Sequence, residues 1–151
     1  MNIFIVEDSE AKLDSIRGLL ALLFPSADCR VAYSVHSAIE SLLQELPELI
    51  VADMSLPTYD IERYERGGSP RSFGGIEVFE FLDRYDYQVP VIVVTSYPSL
   101  GDGENALNLK QLSERLKNEF PSNFVGAVYF DSAYSNWESE FSALVESLNK
   151  E

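Results

Sequence analysis

Cysteine and histidine are nearly absent from this chain, with one of each in 151 residues. The single cysteine, Cys29, excludes an internal disulfide, and we expect it to be a small core residue of a protein in a reducing compartment. The single histidine, His36, excludes a metal site built from several histidines and a relay between two phosphohistidines. Because it stands near a predicted helix start without obvious partners, we expect it on the surface or in a capping role.

Positive charge is also scarce: 11 Lys and Arg residues stand against 25 Asp and Glu residues, for a net charge of −14. Nucleic acids and anionic membranes are bound through basic surfaces, so we expect neither as a partner. The N-terminal residues MNIFIVED have no basic region, and long apolar runs are missing. We therefore expect no signal peptide and no membrane span, a cytoplasmic location, and one domain over residues 1–151.

Short apolar runs alternate with helical periodicity along the whole chain. The predicted strands are Ile3–Val6, Arg30–Tyr33, Leu49–Ala52, Val89–Ser96 and Val125–Asp131. Each run is followed by apolar residues at helical spacing. Five strands that each precede a helix predict a parallel sheet covered by helices on both faces. In such sheets ligands bind beyond the carboxyl ends of the strands.

Polar side chains follow several of the predicted strands. They are Glu7, Asp8, Asp53, Thr95 and Asp131. Carboxylates that share a crevice repel one another, and this raises a pKa unless a cation neutralises them. Mg²⁺ prefers oxygen ligands and is usually held by one or two carboxylates and phosphate oxygens. We therefore predict a Mg²⁺ site in which Asp53 can attack a phosphoryl group.

Four segments in this order resemble the receiver domain of two-component response regulators. They are VED at 6–8, VADMSLP at 51–57, GGIEVFEFL at 74–82 and VPVIVVTS at 89–96. Pro57 follows Asp53 by four positions, as in the Asp-x-x-x-Pro turn of that family. The resemblance covers nearly the whole chain. It implies an α/β, flavodoxin-like, doubly wound five-stranded parallel sheet, here with an enlarged loop after the third strand and an enlarged fourth-helix region.

The resemblance also implies a role for each acidic residue. Asp53 would be the phosphoacceptor for a histidine kinase or a phosphotransfer protein. Asp8 would bind Mg²⁺ directly, Glu7 would act through water, and Ser55 would contribute its backbone carbonyl.

The same resemblance implies a conformational switch. Thr95 would be the hydroxyl that turns toward the acyl phosphate, and an aromatic residue on the fifth strand would follow it. That aromatic residue is Tyr129 or Phe130, and simple core packing is the alternative for either.

One family feature is missing at the end of the fifth strand. Where receivers have a lysine, this chain has Asp131 or Ser132. Because a cation is removed from a site that accepts negative charge, we expect phosphorylation to be slow, unusually coupled or absent. The insertion at residues 58–74 could supply a replacement, because a guanidinium binds phosphate well; a solvated or partner-binding loop is the alternative. Its arginines are Arg63, Arg66 and Arg71, whereas Lys110 and Lys117 on the predicted fourth helix are expected to be solvated.

These residues bear on three possible functions. The first is a stand-alone receiver without an output domain, which is no enzyme and signals to a downstream protein partner. The alternative is a phosphorylation-independent pseudo-receiver that acts as a protein-interaction module. A Mg²⁺-dependent phosphohydrolase is disfavoured, since Ser55 stands where haloacid-dehalogenase-type enzymes have a second aspartate. The intact Glu7, Asp8, Asp53 and Thr95 favour the first function.

Overall fold

The computed structural model describes residues 1–57, 59, 74–96, 99–100, 106–131 and 136–148. Its strands are β1 (Asn2–Val6), β2 (Asp28–Ala32), β3 (Leu49–Ala52), β4 (Val91–Thr95), β5 (Ser99–Leu100), β6 (Leu107–Asn108) and β7 (Phe124–Tyr129). Its helices are α1 (Glu10–Leu23), α2 (Val35–Gln44), α3 (Ile76–Arg84), α4 (Leu109–Glu119) and α5 (Asn136–Leu148).

Five strands form one parallel sheet in the order β2-β1-β3-β4-β7. From β1 the chain first adds β2 on one side and then returns to add β3 on the other. The strand order therefore reverses between β1 and β3, the position at which doubly wound sheets bind ligands. The predicted flavodoxin-like α/β fold is confirmed.

Alternate side chains of the central strands enter two separate cores. On one face, Ile3, Ile5 and Val51 pack with α1 and α5 residues. On the other face, Phe4 and Ile50 pack with residues of α2, α3 and α4. Because both faces are covered, the central strands are apolar at every position, as the sequence indicated.

Capping residues fix where the helices begin. The Ser9 side chain accepts a hydrogen bond from the Lys12 amide at the start of α1. Ser34 and Ser37 form a reciprocal capping box at the start of α2. These caps satisfy amides that lack partners within the helix and set each first turn just after a strand end.

Three details differ from the sequence predictions or lie outside what the structure describes. The segment before α4 forms a short antiparallel pair, β5 with β6, which periodicity did not predict. The assignment of Cys29 to the core was wrong: its side chain is exposed, because it lies near the start of the edge strand β2. Most of the 58–74 insertion, with its three arginines, lies outside the described residues.

His36 lies on the surface as expected. Its side chain is about half exposed, and Nε2 is 3.2 Å from the Glu40 carboxylate one helical turn away. None of the helices in the described ranges has the length and apolar character needed to cross a bilayer.

Candidate functional site

The pairing of β1 with β3 brings the predicted carboxylates together. Val6 is opposite Ala52 in the register, and the Asp53 amide donates to the Val6 carbonyl at 3.0 Å. The residues that follow these strands therefore leave the sheet side by side. One carboxylate oxygen from each of Glu7, Asp8 and Asp53 lies within 4.8 Å of the other two.

The turn after β3 holds Asp53 rigidly. Its carboxylate is buried, and Oδ1 accepts a hydrogen bond from the Ser55 amide at 3.3 Å. Behind it, the Gly75 amide donates to the Met54 carbonyl at 2.9 Å. A Cβ atom at Gly75 would lie 2.4 Å from the Asp53 carbonyl oxygen, so the start of α3 packs directly against the turn.

Lys12, on the first turn of α1, is the site residue that the sequence analysis missed. Its Nζ lies 2.8 Å from Glu7 Oε1 and 3.1 Å from Asp53 Oδ2. It also donates a hydrogen bond to the Val94 carbonyl at 2.7 Å. The side chain is only 3% exposed, so this ammonium is an internal counterion of the acidic cluster.

A sequence signal for Lys12 did exist. It stands four positions before Ile16 and eight before Leu20, on the stripe of α1 that faces the core. A lysine in the apolar stripe, in the turn that follows an acidic strand end, should point toward that strand end. A search for apolar residues at helical spacing does not find Lys12, because the first apolar residue of the stripe is Leu13.

Burial raises the pKa of two of the carboxyl groups. Burial raises the pKa of Glu7 to about 7, and the Asp53 charge adds to this effect while Lys12 opposes it. The pKa of Asp8 is also raised, first by burial and then by the Asp53 charge. The site thus retains unfavourable negative charge that Lys12 does not fully offset.

The donor set fits a hard divalent cation. Glu7 Oε2 accepts from the Ser9 amide at 3.0 Å, whereas the buried Oε1 has no hydrogen-bond partner among the described residues and is balanced by the ion pair with Lys12. Three clustered carboxylates provide oxygen ligands without nitrogen or sulfur, which suits Mg²⁺ or Mn²⁺. Ser55 is buried beside Asp53, to which its amide donates a hydrogen bond.

The predicted switch residues lie at the ends of β4 and β7. Thr95 is fully buried and is opposite Tyr129 in the register. The Phe130 amide donates to the Thr95 carbonyl at 2.7 Å. Tyr129 is 38% exposed, whereas Phe130 is buried, with its ring centroid 5.1 Å from that of Trp137.

The other candidate cations do not reach the cluster in the part of the chain that is described. Lys110 and Lys117 are exposed on α4, as expected. Asp131 is partly buried just after β7, and Ser132 lies outside the described residues. The predictions for Arg63, Arg66 and Arg71 also fall outside them.

Two curated relatives match most of this chain. It is 30% identical over 142 residues to the uncharacterized protein y4jR of Sinorhizobium fredii (strain NBRC 101917 / NGR234), covering 92% of this chain and 93% of that protein. It is 28% identical over 131 residues to the Detocs response regulatory protein DtcB of Vibrio alginolyticus, covering 85% of this chain and 88% of that protein. No family model matches the chain.

Solved structures share the fold at low sequence identity. The RcsB response regulator of Salmonella typhimurium, described for its DNA interaction, superposes with a TM-score of 0.65 and 18% identity. The match covers 99% of this chain but 60% of RcsB, so RcsB contains a further part that this chain does not match.

A second structure concerns the metal. The Mn²⁺-bound form of the response regulator Rcp1 superposes with a TM-score of 0.62 and 16% identity, covering 95% of this chain and 90% of Rcp1. The carboxylates at the β1 and β3 ends, the sheet order and the match to DtcB agree, and the chain belongs to the response regulator receiver family.

Proposed function

We propose that this protein is a phosphorylation-dependent receiver in which Asp53 accepts a phosphoryl group with the help of Mg²⁺. The observation that supports the proposal most strongly is the buried cluster of Glu7, Asp8 and Asp53 at the reversal of strand order. A site of this kind sacrifices stability, since carboxylates are buried against one another. Such a cost is typical of a functional site.

In the proposed reaction, an Asp53 carboxylate oxygen attacks the phosphorus atom of the donor. An O–P bond forms, the bond from phosphorus to the donor breaks, and the donor atom keeps that electron pair. The donor is a phosphohistidine of a kinase or of a phosphotransfer protein. A bound Mg²⁺, held by Asp8, Asp53 and the Ser55 carbonyl with Glu7 acting through water, would neutralise the charge that gathers during transfer.

We further propose that the phosphorylated form signals through protein contacts rather than through catalysis. Thr95 and the aromatic residue Tyr129 or Phe130 would report the new charge by moving the ends of β4 and β7. Support comes from the hydrogen bond that joins the Phe130 amide to the Thr95 carbonyl. The match to the curated relatives over 93% and 88% of their lengths supports a stand-alone receiver, for which we propose a cytoplasmic location.

The test is the intact mass of the protein after incubation with Mg²⁺ and acetyl phosphate. We expect the native chain to gain one phosphoryl group, and we expect Asp53→Asn to gain none. Asp83→Asn, an exposed aspartate at the end of α3, is the matched control and should behave like the native chain. An unmodified native chain that still binds Mg²⁺ would instead support the phosphorylation-independent interaction module.

A further inference from the structure

Lys12 is unusual because lysine is rarely buried unless its charge is paired. Here the ammonium has three oxygen neighbours, Glu7 Oε1, Asp53 Oδ2 and the Val94 carbonyl, at 2.8, 3.1 and 2.7 Å. The Val94 carbonyl accepts a hydrogen bond from the ammonium, and the two carboxylates are its ion-pair partners. The position of the ammonium is therefore determined by protein oxygen atoms of the site and not by contact with solvent.

We propose that Lys12 provides, from α1, the positive charge that stabilises the phosphoryl group on Asp53. This inference rests on the proposed function. It places the cation on a helix that follows β1, whereas the segment after β7 reads Asp131-Ser132 and offers no positive charge.

The two Asp53 oxygens are not equivalent, and this supports the assignment. Oδ1 accepts from the Ser55 amide at 3.3 Å, while Oδ2 faces Lys12. A phosphoryl group formed on Oδ2 is bonded to an atom that already lies 3.1 Å from Nζ. Phosphoryl oxygens can then replace the carboxylate charge that formation of the acyl phosphate removes from the ion pair.

The hydrogen bond to the Val94 carbonyl also connects Lys12 to β4. Val94 precedes Thr95, and its carbonyl holds Nζ on the β4 side of the cluster. The ammonium therefore lies between the acceptor residue on β3 and the residue next to the switch hydroxyl. Lys12 can contact the reacting oxygen without a large movement of α1.

The first experiment compares Lys12→Met with Lys117→Met, which makes the same change at an exposed position of α4. The initial rate of phosphoryl uptake from acetyl phosphate is measured by intact mass at saturating Mg²⁺. Loss of a charge-assisted contact should slow Lys12→Met by about tenfold or more, while Lys117→Met keeps the native rate.

Mg²⁺ affinity distinguishes a stabilising cation from a residue that only holds the site in shape. Without the competing ammonium, Lys12→Met should bind Mg²⁺ as tightly as the native chain or more tightly, measured by calorimetry. Slow uptake with retained Mg²⁺ affinity supports the proposal. Loss of both properties together would overturn it, because Lys12 would then serve only to hold the site in shape.

The outcomes also separate this inference from the proposed function. If the native chain and Lys12→Met are phosphorylated at equal rates, Lys12 is not the stabilising cation, but the receiver function stands. If the native chain takes up no phosphoryl group, the receiver function fails and this inference fails with it.

A measurement on the native chain covers the case in which Lys12→Met does not fold. A crystal structure with Mg²⁺ and beryllofluoride, an analogue of the phosphoryl group, would show the position of Nζ directly. Nζ within hydrogen-bond distance of a fluorine atom supports the proposal. Nζ that contacts Glu7 and Val94 but no fluorine atom overturns it.

Discussion

The two ends of the sheet both bury polar groups, but they do so in opposite ways. At the amino-terminal end, the buried Asn123 amide donates to the Tyr87 and Val89 carbonyls at 2.7 and 2.9 Å. At the carboxyl-terminal end, Glu7 and Asp53 are buried beside each other with Lys12 between them. The first arrangement is neutral and satisfied by backbone; the second is charged and leaves a Glu7 oxygen without a hydrogen bond among the described residues.

This difference separates a structural polar site from a functional one. A satisfied neutral amide stabilises the loop that it joins and has little left to offer a ligand. Clustered carboxylates with one internal counterion cost stability, and a divalent cation or a phosphoryl group can relieve that cost. Substitutions at the amino-terminal end should therefore change stability, and substitutions at the carboxyl-terminal end should change binding.

The largest effect is expected for Asp8→Asn. This substitution removes a charged ligand from the cluster, and Mg²⁺ affinity measured by calorimetry should fall by about 10–100-fold or more. Asp14→Asn, at an exposed position of α1, is the matched control and should bind like the native chain. Equal losses in both variants would mean that general surface charge, and not the cluster, attracts the metal.

Gly75→Ala should affect both stability and the site. Its Cβ would lie 2.4 Å from the Asp53 carbonyl oxygen and 2.8 Å from Met54 Cα, so the backbone must shift. Overpacking of this kind costs about 1–3 kcal/mol in the free energy of unfolding, and phosphoryl uptake should slow as Asp53 moves. Urea denaturation and intact mass measure the two effects.

Gly18→Ala is the control for that change. Gly18 lies on the exposed side of α1 with nothing within 4 Å of its Cβ position. Alanine there should stabilise the helix by up to about 1 kcal/mol and leave uptake unchanged. If both substitutions destabilise the protein, the effect of Gly75→Ala cannot be attributed to close packing against the turn after β3.

Asn123→Ala tests the amino-terminal end alone. It leaves two backbone carbonyls without their donor, which should lower the free energy of unfolding by about 1–3 kcal/mol. Phosphoryl uptake by the folded protein should stay at the native rate. Asn118→Ala, exposed on α4, should change neither quantity. Slower uptake in Asn123→Ala would contradict the proposal that the amino-terminal end of the sheet affects stability alone.

The pH dependence of stability tests the burial of Glu7, whose cost Lys12 offsets only in part. The folded-state pKa of Glu7, about 7, exceeds its ordinary value of 4.5, so the folded protein binds the extra proton between these values. The free energy of unfolding of metal-free protein should thus fall as pH rises from about 4.5 to about 7. Glu7→Gln should flatten this slope, and an unchanged slope would contradict the assignment.

The sequence predicted the sheet because its central strands are continuously apolar, as strands covered on both faces must be. It predicted the meeting of Glu7, Asp8 and Asp53 because parallel strands end at the same edge. It did not predict the short β5 and β6 pair, whose two-residue strands have no periodicity to detect. The exposure of Cys29 was missed because an apolar run does not reveal that its strand lies at an edge.

Lys12 shows a different limit of sequence analysis. The candidates for a replacement cation were the arginines of the 58–74 insertion and the lysines of the predicted fourth helix. The actual neighbour of Asp53 comes from the turn directly after the first acidic pair. The position of Lys12 on the apolar stripe of α1 indicates its general direction, but only the packing of Ile16 and Leu20 against the sheet shows which oxygens its ammonium reaches.

The central claim is that the phosphoryl group is transferred to Asp53, and reductive trapping tests it most directly. Borohydride reduces an aspartyl phosphate to homoserine, and peptide mass spectrometry locates the product after incubation with Mg²⁺ and acetyl phosphate. We predict homoserine at position 53, present with Mg²⁺ and lost on its chelation. Homoserine at Asp8 or Asp131, or a phosphoryl adduct that yields none, would contradict the account.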